Sequence, residues 1–236
     1  MQTLPAQIVD NGLAPIRDML DEVVLVGGAS IGMWLDVAAP PARPTNDIDL
    51  VAMCRTRVQY HAISERLRAR GLSEDSTSTV LCRWTSADGT IIDVMPVDEA
   101  VLGFSNQWYH DAFEQAQPMQ LPSGAWLPVA TPPYLLATKF DAFDSPHRAY
   151  GGDYLGSADM HDVVALLDGR HDLDQDFGLS RRAVNQYVAA RISDLSEAQV
   201  QQALLNYLPP DSLVVQREAR IRARLAWLEG LAEGPH

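Results

Sequence analysis

Lysine is nearly missing from this chain: its eighteen basic residues are seventeen arginines and a single lysine, Lys139. The plain cause is codon bias in a GC-rich genome; if that bias has removed lysine elsewhere, the one that remains is a candidate for a task where arginine does not substitute. Cysteine is scarce as well. Cys54 and Cys82 stand alone, with no C-x-x-C and no clustered Cys/His spacing, which excludes a disulfide scaffold and a zinc ribbon. Two ordinary reduced thiols suit a cytoplasmic protein. No apolar run approaches the roughly 18 residues of a membrane span. The segment MQTLPAQIVD lacks the basic-then-apolar pattern of a secretory signal, so neither membrane insertion nor export is expected. Positive charge is the last shortage: 18 basic residues face 31 acidic ones, a net charge of −13. Such a chain repels the phosphate backbone at long range, which excludes wide, nonspecific nucleic-acid binding. A small nucleotide carried in by metal ions, or an RNA end gripped by a local arginine cluster, remains compatible with it.

What is present reads as a globular chain of mixed class. At 47% hydrophobic and 21% charged residues, disorder, collagen and coiled coil are excluded. Residues Ile16 to Leu20 read as a helix end running into the buried strand Val23–Val26, which stops at Gly27-Gly28. Ala29 to Val37 has helical spacing. The stretch AAPPARPTN is a loop, because its prolines remove donors and fix φ. It leads into a strand over Asp47–Met53. A helix is expected from Tyr60 to Arg70, a hairpin from Val80–Thr85 and Thr90–Pro96 around Ala87-Asp88-Gly89, and a short strand at Trp126–Val129. Beyond Pro132-Pro133 helical spacing takes over, in Tyr134–Phe143, Asp159–Leu167, Ser180–Ile192, Ser196–Leu208 and Ser212–Leu231. The reading is α+β, with an α/β domain over residues 1–130 and an all-helical C-terminal domain over residues 131–236.

Three features lie in order on the predicted sheet: Gly27-Gly28 after a strand, Asp47-Ile48-Asp49 at the start of the next, and Asp93 in a third. Alternate residues of a strand share a face, so Asp47 and Asp49 point the same way with Cα atoms roughly 6.5 Å apart. Such a pair is tolerated when it faces water or binds a cation, and carboxylates suit hard ions such as magnesium. Asp93 lies in the apolar run T-I-I-D-V-M-P, where an unpaired charge is expensive to bury. Brought together, the three acids would hold two metals about 3.5–4 Å apart, the arrangement used for in-line nucleotidyl transfer. Glycines between strand and helix let backbone N–H groups approach a phosphate, and Ser30 adds a hydroxyl. A solvated strand start and an ordinary tight turn are the plainer alternatives. There is no G-x-x-x-x-G-K-[ST], no G-x-G-x-x-G and no G-x-S-x-G, so a Walker loop, a Rossmann fingerprint and a hydrolase elbow are excluded.

The series V-L-V-G-G-A-S, R-P-T-N-D-I-D-L and I-I-D-V resembles the polymerase-β-type nucleotidyltransferase superfamily. The stretch A-T-K-F-D-A-F at 137–143, followed by G-G-D-Y-L-G-S-A-D-M-H-D-V-V at 151–164, is similar to the AbiEii/MenT-like nucleotidyltransferases. Many of these are toxins of toxin–antitoxin or abortive-infection systems. The resemblance spans roughly residues 23–168. It implies a polymerase-β-like mixed sheet with flanking helices, with the helical part completing the nucleotide site. It implies that Gly27, Gly28 and Ser30 hold a triphosphate, that Asp47 and Asp49 bind metal, and that Asp93 binds metal or acts as base. Lys139 would contact the nucleotide phosphates and Asp159 would lie near nucleotide and metal, with Asp162 structural. The cofactor implied is Mg2+ in a two-metal site, with Mn2+ as a substitute. The partners implied are a nucleoside triphosphate, a tRNA 3′ end as acceptor and a cognate antitoxin protein. Two features depart from the pattern: the Pro-rich loop lengthens the gap between Gly28 and Asp47, and His161 stands where an acid is common.

Other acceptors within the same class are a small molecule or a protein, and a non-catalytic nucleotide-binding protein would share the fold. His110, His147, His161 and His171 lack zinc-motif spacing and read as solvent-facing or structural. Arg148 reads as a phosphate contact or a surface ion pair. Arg217, Arg220, Arg222 and Arg224 form a basic patch on the final helix, read as a solvated face or as a contact for RNA or an acidic partner. Trp84, Trp108, Trp126 and Tyr134 read as core or domain-interface residues.

Overall fold

The computed structural model describes residues 4–75, 81–145 and 154–232. The chain divides into two compact units: residues up to Met33 with Pro44–Thr131, and Trp34–Arg43 with Pro132 onward. The first unit is built from α1 (Leu4–Gly12), a 3-10 segment (Ala14–Glu22), β1 (Val23–Val26), α2 (Gly27–Trp34), β2 (Asp47–Ala52), α3 (Arg57–Ala69), β3 (Ser73–Glu74), β4 (Arg83–Thr85), β5 (Ile91–Pro96), α4 (Glu99–Leu102), α5 (Tyr109–Glu114), β6 (Gln117–Gln120) and β7 (Trp126–Val129). Its strands form one mixed sheet in the order β3-β4-β5-β2-β1-β7-β6. β2 runs parallel to β5 and β1 parallel to β7; the other neighbours are antiparallel. The class is α+β.

The alternation in β2 and β5 decides which residues reach the core. Ile48 and Leu50 of β2 and Ile92 and Val94 of β5 are buried, so the intervening Asp47, Asp49 and Asp93 share the opposite face. The third acid of that face is nonetheless 5% exposed, and needs a partner. The helix expected from Tyr60 starts earlier, at Arg57, because Thr56 and Gln59 form a capping box: each side chain accepts from the other's backbone amide. Of the predicted hairpin, β4 and β5 pair antiparallel around Gly89; Val80 lies outside the described residues. β6 was not read from the sequence. It is a polar edge strand whose Pro118 stands opposite Pro128 of β7.

In the second unit α6 (Pro132–Asp144) is followed by α7 (Ala158–Gly169), α8 (Leu173–Leu179), α9 (Arg182–Ser193), α10 (Glu197–Tyr207) and α11 (Val214–Gly230). α6 is buried along nearly its whole length, from Pro132 to Phe140, as a helix apolar on all sides must be. It packs against α7, α8 and α9, while α7 packs on α10 and α11. Ser157 caps α7 by accepting from the Met160 amide. Two contiguous halves were expected, but the start of the Pro-rich loop belongs to the helical unit. The Asp36 amide donates to the Gly169 carbonyl at 3.0 Å, and Arg43 forks onto Asp162 at 2.9 and 3.0 Å. No helix among the described residues is long and apolar enough to cross a membrane.

Candidate functional site

Sheet register gathers the acids. Asp49 stands level with Asp93 on the parallel neighbour β5, and Asp93 in turn faces Arg83 on β4. One carboxylate oxygen from each of Asp47, Asp49 and Asp93 lies within 4.8 Å of the others. Neighbouring strands are under 5 Å apart and same-face residues of one strand about 6.5 Å, so two strands suffice to make the cluster. Thr45, from R-P-T-N-D-I-D-L, donates its hydroxyl to Asp47 Oδ1 at 2.8 Å and fixes that carboxylate. Three hard oxygen donors at this spacing fit a divalent cation such as magnesium.

Gly27 is required by the same cluster. Its φ is +67°, and a Cβ built there would stand 1.8 Å from Asp49 Oδ2 and 2.6 Å from its Cγ. Only glycine admits both the left-handed backbone and the carboxylate pressed against it. α2 begins directly at this residue, so the glycine pair is the first turn of the helix rather than a separate loop. Gly28 is buried in that turn. Ser30 is fully buried and donates its hydroxyl to the Gly27 carbonyl at 2.7 Å. Its proton is therefore spent on holding the turn.

Arg83 is a site residue that sequence reasoning passed over. Its Nε and Nη2 donate to the two oxygens of Asp93 at 2.9 and 2.8 Å, and Nη2 lies 3.5 Å from Asp47 Oδ2. This fork is what makes the burial of Asp93 affordable. The hydrogen bonds to Asp93 hold the Arg83 guanidinium well above its ordinary range. The missing signal was available: in a hairpin closing around Ala87-Asp88-Gly89, counting back from the turn sets residue 83 opposite residue 93. Burial, together with the charges of Asp93 and Asp49, pushes the neighbouring Cys82 thiol up to about 12, and burial takes Cys54 up to about 11. Both thiols are free and buried.

Lys139, Asp159 and Asp162 form a second cluster, within the helical unit. Lys139 lies on the all-round buried face of α6, so its charge must be met. The D-x-x-D spacing places Asp159 and Asp162 on one face of α7. The ammonium sits 3.2 Å from Asp159 Oδ1 and 2.7 Å from Asp162 Oδ2, with Arg43 forked on Asp162. All three side chains of the lysine and acids are at least 93% buried. The lone lysine thus has a compact ammonium's task, bridging two carboxylates from one point.

Several secondary readings are corrected. The arginines of α11 are neither a solvated face nor an open basic patch. Arg217 and Arg220 both bind Asp168, Arg217 also binds Asp211, Arg222 binds Glu197 and Glu218, and Arg224 donates to the Leu167 and His171 carbonyls. Trp126 is 59% exposed, because the alternation of β7 turns Leu127 and Val129 inward instead. Trp84, Trp108 and Tyr134 are buried. His110 contacts Arg55, with Asp111 and Glu114 nearby; His161 stacks on Tyr207; His171 bonds Asp36. His147, Arg148 and residues 151–153 of the second motif lie outside the described residues.

No protein-family model matches this sequence, and no curated protein matches it. Among solved structures, the chain is similar to the crystal structure of an antigenic nucleotidyltransferase-like protein from Paracoccidioides brasiliensis. The two are 16% identical with a TM-score of 0.47, over 92% of this chain and 99% of that one.

Proposed function

We propose that this protein is a metal-dependent nucleotidyltransferase, which moves a nucleoside monophosphate from a nucleoside triphosphate to an acceptor hydroxyl. The observation that carries the reading is the convergence of Asp47, Asp49 and Asp93 beside a glycine that only glycine can be. A carboxylate trio with a glycine-led helix start matches what a triphosphate and divalent ions need: hard oxygens for the ions and backbone N–H groups for the phosphates.

In this reading Asp47 and Asp49 hold Mg2+, or Mn2+ in its place, and Asp93 completes the donor set. The bound cation supplies charge neutralisation at the phosphates and lowers the pKa of the acceptor hydroxyl. The chain's own part is positioning. Thr45 orients Asp47, Gly27 makes room for Asp49, and the start of α2 presents amides to the phosphates. The acceptor oxygen forms its bond to the α-phosphorus as the bond to pyrophosphate breaks, and the hydroxyl proton passes to a carboxylate or to water. Rate comes mostly from orientation and electrostatics, as in other phosphoryl transfers. Lys139 and Asp159 carry the phosphate- and metal-side roles that the resemblance implies. Those roles compete with the buried ion cluster described above.

The proposed acceptor is the 3′ end of tRNA, and the proposed setting a toxin with a cognate antitoxin. Because the α11 arginines are spent inside the chain, RNA recognition would have to come from other surfaces. The decisive experiment incubates purified protein with each labelled triphosphate, magnesium and total tRNA. Label moving to RNA supports the reading in full, and label moving to protein or a small molecule changes the acceptor. Label moving nowhere while nucleotide stays bound replaces it with a binding protein. Asp49→Asn is expected to abolish transfer and leave the circular dichroism spectrum unchanged.

A further inference from the structure

Three carboxylates within 4.8 Å of one another repel, and one of them, Asp93, has a side chain only 8% exposed. The chain answers that repulsion from within. Arg83, level with Asp93 on the next strand, covers both Asp93 oxygens in a fork, and its Nη2 reaches to 3.5 Å from Asp47. A fork that engages both oxygens leaves Asp93 with only its outer lone pairs for any other ligand. Asp47 differs: its Oδ1 accepts one hydroxyl from Thr45, and Arg83 stands beyond normal hydrogen-bond distance from its Oδ2. The Arg83 side chain is about a quarter exposed, so the fork has a route out toward solvent.

We propose that Arg83 is a positioning residue that acts as the built-in counter-cation of the acid trio and competes with divalent metal for Asp93. The first divalent ion binds through Asp47 and Asp49, and a second binds through Asp93 only when the Arg83 fork opens. This rests on the metal reading proposed above and adds an order of filling to it. The arginine keeps the trio assembled without metal and makes the second ion the weaker of the two.

The test is direct titration of the full chain with Mn2+, following free ion by electron paramagnetic resonance, for wild type, Arg83→Met and Arg83→Lys. Wild type is expected to bind one ion well and a second weakly. Arg83→Met is expected to bind the second at least about tenfold more tightly, since removing one unit charge about 5 Å from a dication is worth that much even at the dielectric constant of water. Arg83→Lys keeps the charge but loses the fork, and is expected to fall between the two. A folded Arg83→Met with wild-type stoichiometry and affinity overturns the proposal and leaves the metal site standing. If Arg83→Met does not fold, Arg83→Lys decides: affinity for the second ion unchanged from wild type overturns it. Absence of Mn2+ binding to wild type and variants alike overturns the metal reading and this one together.

Discussion

Replacing Gly27 by alanine separates two costs that are normally tangled. At φ +67° an alanine pays for the left-handed conformation, about 1–2 kcal/mol. Its Cβ would also stand 1.8, 2.6 and 2.7 Å from Oδ2, Cγ and Cβ of Asp49. The carboxylate can swing away, but the Asp49 Cβ belongs to β2 and moves only with the strand. Overpacking of this kind costs about 1–3 kcal/mol. Against both stands the loss of unfolded-chain freedom on Gly→Ala, which stabilises by about 0.4–1 kcal/mol. Gly124, in the turn between β6 and β7, supplies the control: its φ is +88°, and nothing lies within 4 Å of a Cβ built there. Gly124→Ala therefore carries the backbone cost alone, and the difference between the two variants is the steric part, about 1–3 kcal/mol. Urea unfolding followed by far-ultraviolet circular dichroism measures it. Nucleotidyl transfer should separate the variants further, because shifting Asp49 by about 1 Å costs roughly a hundredfold in rate while Gly124→Ala leaves the rate alone. Equal unfolding midpoints for the two variants, with equal transfer rates, would refute the claim that Gly27 is held by Asp49.

Lys139→Met should destabilise the helical unit by about 3–5 kcal/mol, because Asp159 and Asp162 would both lose the ammonium that meets their buried charge; thermal unfolding reads the loss. A variant that folds normally would remove the ion-cluster role. The Asp10 carboxyl is pulled up by burial, but the Ser123 hydroxyl and amide and the Arg17 guanidinium outweigh this and hold it below the ordinary carboxylate range. Its folded pKa being depressed, the stabilisation is complete above the unfolded value of about 4 and is lost as pH falls through the folded one. Asp10→Asn should therefore cost stability at pH 7 and flatten the decline below pH 4, as urea midpoints across that range would register. Burial lowers the His161 pKa, outweighing the charge of Asp162. The unfolded chain thus takes up the proton first, and stability falls as pH drops below about 6.5 toward the folded value. Melting temperatures at pH 7.5 and 5.5 should diverge less for His161→Phe than for wild type; an identical divergence would show that His161 does not titrate on unfolding.

Local chemistry carried much of the architecture in the sequence itself. Alternation in D-I-D-L and I-I-D-V fixes which face each acid takes, whatever surrounds the strand. The prolines of AAPPARPTN exclude helix and central strand there, and the apolar spacing after Pro132 admits little besides helix. The Thr56–Gln59 capping box was written there too, in a signal of two residues that a scan for apolar periodicity passes over. The Arg83–Asp93 pair can be counted from the hairpin turn, but tertiary structure alone decided the longer-range partners. That Lys139 meets Asp159 and Asp162, and that Arg217 and Arg220 of α11 turn inward to Asp168, depend on helix packing. Charge attraction acts through space and is blind to sequence separation. A chain's own letters reveal how many charges there are and which faces they occupy, while only folding selects the partners that lie far apart along it.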